Sequence, residues 1–209
     1  MHRICHLILF AACIAPALAE PARDPESALR EGAFENAPLE YWLVSHGGDN
    51  GGGSSADIIA AGGAARSGKM VAQLEAETGT NSRSSAWASI SQQINCAPRA
   101  QMNIEAWLRV PRPSSATNAL VRLRLEYFED EKCEVPICRH MRMAGDLALA
   151  DIPAGSWKKI ALADTVPQEG RAARISIILC VSGGAGARQI LWVDDVALTV
   201  IPPPVRQKH

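Results

Sequence analysis

Residues 102–110 read MNIEAWLRV, and residues 120–128 read LVRLRLEYF. In the first stretch Met102, Ile104, Ala106, Leu108 and Val110 share one parity, while Asn103, Glu105, Trp107 and Arg109 share the other. In the second, Val121, Leu123, Leu125 and Tyr127 alternate with Arg122, Arg124 and Glu126. A strand sends successive side chains to opposite faces, so each stretch has an apolar face for a core and a polar face for solvent. Strands wet on one side only belong to antiparallel sheets packed face to face.

Similar short runs lie at Met70 to Glu75, Trp87 to Asn95, Trp157 to Leu162, Arg174 to Val181 and Ile190 to Val200, separated by Gly, Pro, Ser and Asn. A pairing segment near Phe34 to Trp42 brings the number to eight, and no long helical period intervenes. The expected fold is all-β, a two-sheet antiparallel β-sandwich. Residues 46–69, HGGDNGGGSSADIIAAGGAARSGK, read as a long Gly-rich connection with one weak turn of structure at Asp57 to Ala61. Residues 202–209 read as a Pro-blocked flexible tail.

The first 19 residues, MHRICHLILFAACIAPALA, have a basic start at Arg3, an apolar run from Leu7 to Ile14 and small residues before Glu20. They read as a secretory signal peptide cleaved after Ala19, because the apolar run is too short to span a bilayer. Lipoprotein anchoring at Cys13 is the rival reading, disfavoured by that short run and by Phe10. After the leader come a linker over residues 20–29 and one sandwich domain over 30–201. The expected location is secreted or periplasmic. With 21 basic and 22 acidic residues in the chain, no basic field draws nucleic acid. Cys96, Cys133, Cys138 and Cys180 remain after cleavage, and an oxidising compartment suggests two disulfides with three possible connectivities.

The last run, LWVDDVALTV at residues 191–200, places two acids in the middle of a strand. Unbroken alternation puts Ile190, Trp192, Asp194, Val196, Leu198 and Val200 on the core side, which makes Asp194 the inward acid and Asp195 its solvated neighbour. A buried carboxylate costs several kcal/mol unless a cation or several donors meet it. Neighbouring strand residues point apart, so this pair cannot flank a glycosidic bond.

In sequence order, GAFEN with Trp42 following, SGKMVAQLE, ASISQQI, NIEAWLRV, VRLRLEYF, SWKKIAL, RISIILC and LWVDDVALTV resemble the galactose-binding-like jelly-roll carbohydrate-binding modules found on secreted cellulases and xylanases. The resemblance covers roughly residues 30 to 201. It implies jelly-roll topology and a structural calcium site to which Glu35 and Asp194 contribute, with backbone carbonyls near Gly68 and Lys69 completing the shell. The alternative for Asp194 is a set of backbone amide or arginine donors. Jelly-roll order also favours Cys96 with Cys180 and Cys133 with Cys138, the other pairings remaining open.

A flat aromatic stacks on the apolar face of a pyranose while amides, carboxylates and guanidinium groups bond its hydroxyls. One outer face, assigned to the sheet containing the strands at 70–75, 102–110, 120–128 and 174–181, would carry Gln73, Glu75, Asn103, Glu105, Trp107, Arg109, Arg122, Arg124, Glu126 and Ser176. The candidate ligand site is Trp107 with Glu105, Asn103, Arg109, Arg124 and Gln73, against the alternative of a solvated face with Trp107 under a loop. Its arginines admit an acidic polysaccharide, unless paired Arg and Glu neutralise one another. Trp87, outward beside Ser89, Ser91, Gln93 and Asn95 on the other sheet, is the second platform. Trp42, Trp157 and Trp192 read as packing residues, and Gln92 as a buried, bonded amide.

GAARSGKM at residues 63–70 has the spacing of a phosphate loop, but Met70 replaces the hydroxyl residue and a strand follows. Cys133, Cys138 and His140 lack a fourth zinc ligand at suitable spacing. No nucleophile elbow or convincing Ser, His and Asp set is present. The function expected is non-catalytic binding of a polysaccharide or cell-envelope glycan. The alternatives are a periplasmic or cell-surface structural or adhesion protein with a protein partner, and a hydrolase using Glu75, Glu105 and Glu126.

Overall fold

The computed structural model describes residues 28–36, 39–49, 52–113, 116, 118–137, 141–143 and 146–203. Eleven strands are found among them: β1 Leu43–Gly48, β2 Gly53–Ala60, β3 Met70–Glu77, β4 Ser85–Asn95, β5 Gln101–Arg109, β6 Asn118–Phe128, β7 Arg142–Met143, β8 Leu147–Ala148, β9 Trp157–Thr165, β10 Ala172–Ser182 and β11 Arg188–Ile201. Sheet A has the order β1-β4-β10-β6-β7, with β8 also on β6, and sheet B the order β2-β3-β11-β5-β9. Every pairing is antiparallel. The fold is the expected two-sheet jelly-roll sandwich.

The alternating parities meet in the middle. Ile90, Leu123, Leu125, Ile175 and Ile177 of sheet A and Leu74, Ile104, Leu108, Leu191 and Val193 of sheet B are all fully buried in one core. Each such side chain contributes about 1.5–3 kcal/mol of burial. The seven long runs foreseen in the sequence are strands β3, β4, β5, β6, β9, β10 and β11, all but β5 two or three residues longer than their apolar patterns.

The N-terminal third differs from expectation. No strand is found among the described residues of 34–42; Phe34 and Trp42 are core residues whose ring centroids lie 5.4 Å apart. The Gly-rich connection instead contains the end of β1 and the whole of β2. These sequences have little intrinsic strand preference, and their order comes from pairing: β1 runs along β4 and β2 along β3. Ala56 and Ile58 reach the core from β2. GAARSGKM begins in a short 3-10 turn, Gly62–Ala64, and leads into the strand β3 where a phosphate loop would lead into a helix.

Sheet membership also corrects the grouping of the strands. β3 and β5 lie in sheet B with β11, whereas β6 and β10 lie in sheet A with β4. Arg122, Arg124, Glu126 and Ser176 therefore occupy the face opposite to that of Trp107. Glu126 is thereby separated from Glu75 and Glu105, and those two stand on β3 and β5 with β11 between them. The three cannot converge on one bond.

Among the described residues Cys96, Cys133 and Cys180 form no disulfide with one another. The favoured Cys96 with Cys180 pairing fails on register: Asn95 is opposite Ala172, whereas Cys180 is opposite Trp87 at the other end of the ladder. The nine residues from Trp87 to Cys96, at about 3.3 Å each, put the two cysteines roughly 30 Å apart, and a disulfide needs Cα atoms within about 7 Å. Cys138 lies outside the described residues, as do the leader with Cys13 and the residues from 204 onward.

Candidate functional site

The outer face of sheet B is a structural lid. β11 carries a β-bulge: Asp194 is opposite Trp107, but Ala197 is opposite Glu105, so one extra residue is accommodated. Asp195 takes the positive φ of 45° that this requires, a conformation aspartate tolerates. Parity inverts there. Leu191 and Val193 face the core before the bulge, Val196 and Leu198 after it. Asp194 and Trp192 consequently stand on the outer parity, not the core parity expected from unbroken alternation. Asp194 is nevertheless completely buried, because the loop between β2 and β3 folds over it.

That loop is held by acids. Asp194 Oδ2 accepts the backbone N–H groups of Arg66 at 3.0 Å and Ser67 at 3.1 Å, and Oδ1 accepts that of Asp195 at 2.8 Å. Burial raises its pKa, the amides of Ser67, Asp195 and Arg66 opposing that shift. Asp195, expected to be solvated, pairs with the Arg66 guanidinium and accepts the Ser67 hydroxyl at 2.7 Å. Glu35 Oε1 accepts the N–H groups of Lys69 and Met70, both at 2.9 Å.

Calcium would require six to eight oxygen ligands. Here the loop turns N–H groups, not carbonyls, towards both Glu35 and Asp194. Among the described residues no three His, Cys, Asp or Glu side chains gather as a ligand set. This donor set fits an amide latch and does not fit a calcium ion.

Gln73, Asn103, Glu105, Trp107 and Arg109 do share the outer face of sheet B, but most are engaged within the protein. Arg66 lies over Trp107, 4.0 Å from the ring centroid. Arg109 donates to the Ala64 carbonyl and lies between Trp157 and Trp192, 5.9 and 5.5 Å from their rings. Gln73 accepts the Trp192 indole N–H at 3.0 Å, and Glu105 pairs with Lys159 at 2.7 Å. A depression of 540 Å³ beside Asn103 and Glu105 is lined by Ala, Leu, Ile and Thr residues, with no aromatic ring.

Sheet A presents a different surface. The registers place Leu43, Ser91 and Ser176 in one row, with Ser45, Ser89 and Ile178 in the next and Trp87 and Cys180 beyond. On β6, Arg124 is opposite Ser176 and Arg122 opposite Ile178. These residues, with Arg174, line an open groove of 350 Å³. Trp87 is 37% exposed and Leu43 57%. The Ser89 hydroxyl donates to the Ser45 carbonyl at 3.2 Å and that of Ser91 to Leu43 at 3.5 Å, so both oxygens retain acceptor capacity towards the groove. Beyond the groove, exposed Tyr41 shares a 400 Å³ pocket with Gln93 and Asn95. Gln92 is the expected buried amide, bonded to Arg30 N–H and C=O at 2.9 Å each.

Trp87, Arg122, Arg124 and Ser176 were visible from parity alone. Arg174 shares the parity of Ser176, but Leu43, Ser45 and Tyr41 stand in sequence that carries no strand signal. Only the ladder with β4 brings Leu43 and Ser45 to this face.

Comparison with known proteins turns on shape alone, since no family model matches the chain and no curated protein matches it in sequence. One similar solved structure is the carbohydrate-binding module TmCBM61 in complex with β-1,4-galactotriose, with a TM-score of 0.55 at 15% identity over 83% of this chain and 97% of that one. Another is the xylan-binding domain CBM22-1 from Paenibacillus barcinonensis Xyn10C, at 0.50 and 16% over 83% and 94%. The enzymatically active domain of bacteriophage CBA120 tailspike protein 4 gives 0.57 and 17% over 84% of this chain but 21% of that one. The chain thus has the β-sandwich of carbohydrate-binding modules.

Proposed function

We propose that the protein binds a polysaccharide, without catalysis, in the groove on the outer face of sheet A. The observation that carries this is the lining: an exposed indole and a leucine next to four serines and three arginines, on a fold shared with carbohydrate-binding modules. Trp87 supplies the apolar platform for a sugar ring. The serine hydroxyls and guanidinium groups supply the hydrogen bonds that orient it. Among the described residues the groove lining contains no carboxylate and no histidine, the groups that protonate or displace a glycosidic oxygen. The leader-like first 19 residues support export, and with it a glycan outside the cytoplasm.

A protein partner is the second reading, favoured by exposed Leu43 on the edge strand β1. The polar lining of the groove weighs against it, because protein docking faces are apolar at their centres. Affinity electrophoresis of the mature protein through gels containing individual glycans tests the proposal. Retardation by at least one glycan, lost in Trp87→Ala and kept in Trp107→Ala, is expected. Equal retardation of all three proteins would move the site off this face.

A further inference from the structure

We infer that the glycan this groove takes is acidic, carrying carboxylates or sulfate esters, and that Arg174 is the residue that reads its charge. The inference rests on the groove being the binding site. The chain as a whole has a formal charge of -1, yet among the described residues the groove lining contains Arg122, Arg124 and Arg174 and not one acid. Ser176 is opposite Arg124, with Arg174 two residues before it on β10, so the three guanidinium groups border one patch of hydroxyls. Like charges on neighbouring strands repel, and a neutral ligand would leave that repulsion in place.

The acids outside the lining compensate only in part. Asp146 takes Arg122 through Nε and Nη2 at 2.7 and 3.0 Å, and Glu126 contacts Arg124 Nη2 at 3.2 Å. Arg174 is opposite Glu126 in the ladder of β10 with β6, yet among the described residues it makes no ion pair with it; its guanidinium stands 5.0 Å from the centroid of the Phe128 ring. The Nε atoms of Arg124 and Arg174 are both buried without a hydrogen-bond partner among the described residues. A buried N–H with no acceptor is a cost that is relieved when the guanidinium turns out to meet a bound anion, and guanidinium forks match the planar carboxylate and the sulfate alike. Stacking on Trp87 then holds the ring, while the arginines select its charged substituent.

Binding to de-esterified polygalacturonate is compared with its fully methyl-esterified form, and binding to a sulfated galactan with its desulfated form, each at low and high NaCl. The expected result is tighter binding of the charged member in at least one pair, weakening steeply with salt. Arg174→Ala should lose about tenfold or more of that preference, with Arg174→Gln as a second variant and thermal melting showing that both fold. The pair that responds identifies carboxylate or sulfate. Equal, salt-independent binding of charged and neutral members, sensitive to Trp87→Ala, would overturn the acidic assignment and leave the groove standing. Binding that Trp87→Ala does not affect would remove the groove itself.

Discussion

Gly68 holds a φ of +55°, and a Cβ placed there would lie 2.2 Å from the Glu35 carboxyl. Only glycine permits both the left-handed backbone and the close approach that lets Glu35 reach the amides of Lys69 and Met70. Gly68→Ala should cost about 1–2 kcal/mol from the backbone alone, plus the displaced carboxylate. Urea titration checks this, and in a Glu35→Gln background, where the bond is already weakened, the additional loss should be smaller. Asp194 makes a second case. Its pKa is raised by burial, so the folded protein holds this proton more tightly than the unfolded chain does. The resulting stability is present below the ordinary aspartate value and is lost as pH rises through the raised one. Asp194→Asn keeps an acceptor for the Arg66 and Ser67 amides but has no proton to lose. Denaturant midpoints measured from pH 3 to 7 should therefore show a smaller decline with rising pH in Asp194→Asn than in the parent. A steeper decline would mean that the amides outweigh burial.

At the scale of the element, the bulge in β11 decides which side chains can be ligands. It turns the acid pair to the outer surface and draws the loop between β2 and β3 across sheet B, where Arg66 covers Trp107. Arg66→Ala should uncover that ring: iodide quenching of tryptophan fluorescence should increase, and the increase should disappear when Trp107→Phe is added. Glycan binding should be unchanged by either substitution. The period-2 pattern made β5 and β6 legible, because each buries one parity without interruption. It misassigned Trp192 and Asp194, because one inserted residue inverts every side chain on one side of the bulge, and alternation read across the insertion has no means of showing where the inversion falls. It missed β1 and β2 because glycine and serine carry no parity to read. The groove was half legible for the same reason: Trp87, Arg122 and Arg124 lie on patterned strands, whereas Leu43 and Ser45 owe their place to a partner strand.

At the scale of the molecule, strand existence could be read locally but strand neighbours could not, since β3 and β6 look alike and lie in different sheets. The cysteines show the consequence. Cys96 and Cys180 lie at opposite ends of the β4 and β10 ladder, and burial pushes the Cys96 thiol up to about 11 and the Cys180 thiol upward as well. Peptide mapping without reduction should find no fragment joining those two, and alkylation of Cys96 should be slow at neutral pH and accelerate as pH approaches 11. The closure of the sandwich is the last molecular question. Residues near the start of the domain must be tied to its last strand, and three connections do this: Ala28 N–H to the Leu198 carbonyl at 2.9 Å, Val196 N–H to the Gly32 carbonyl at 2.9 Å, and the two acids that grip opposite ends of the 66–70 loop. Inserting a divalent cation between Glu35 and Asp194 would require those amides to turn away, exchanging five N–H contacts for the ion. Calorimetric melting in saturating calcium and in chelator should therefore give the same midpoint. Asp194→Ala, which strands the Arg66 and Ser67 amides, should lower it by the equivalent of about 2 kcal/mol or more in both buffers. A midpoint that rises with calcium in the parent but not in Asp194→Ala would show that the loop rearranges to a cation site, and that the amide latch is the apo form of it.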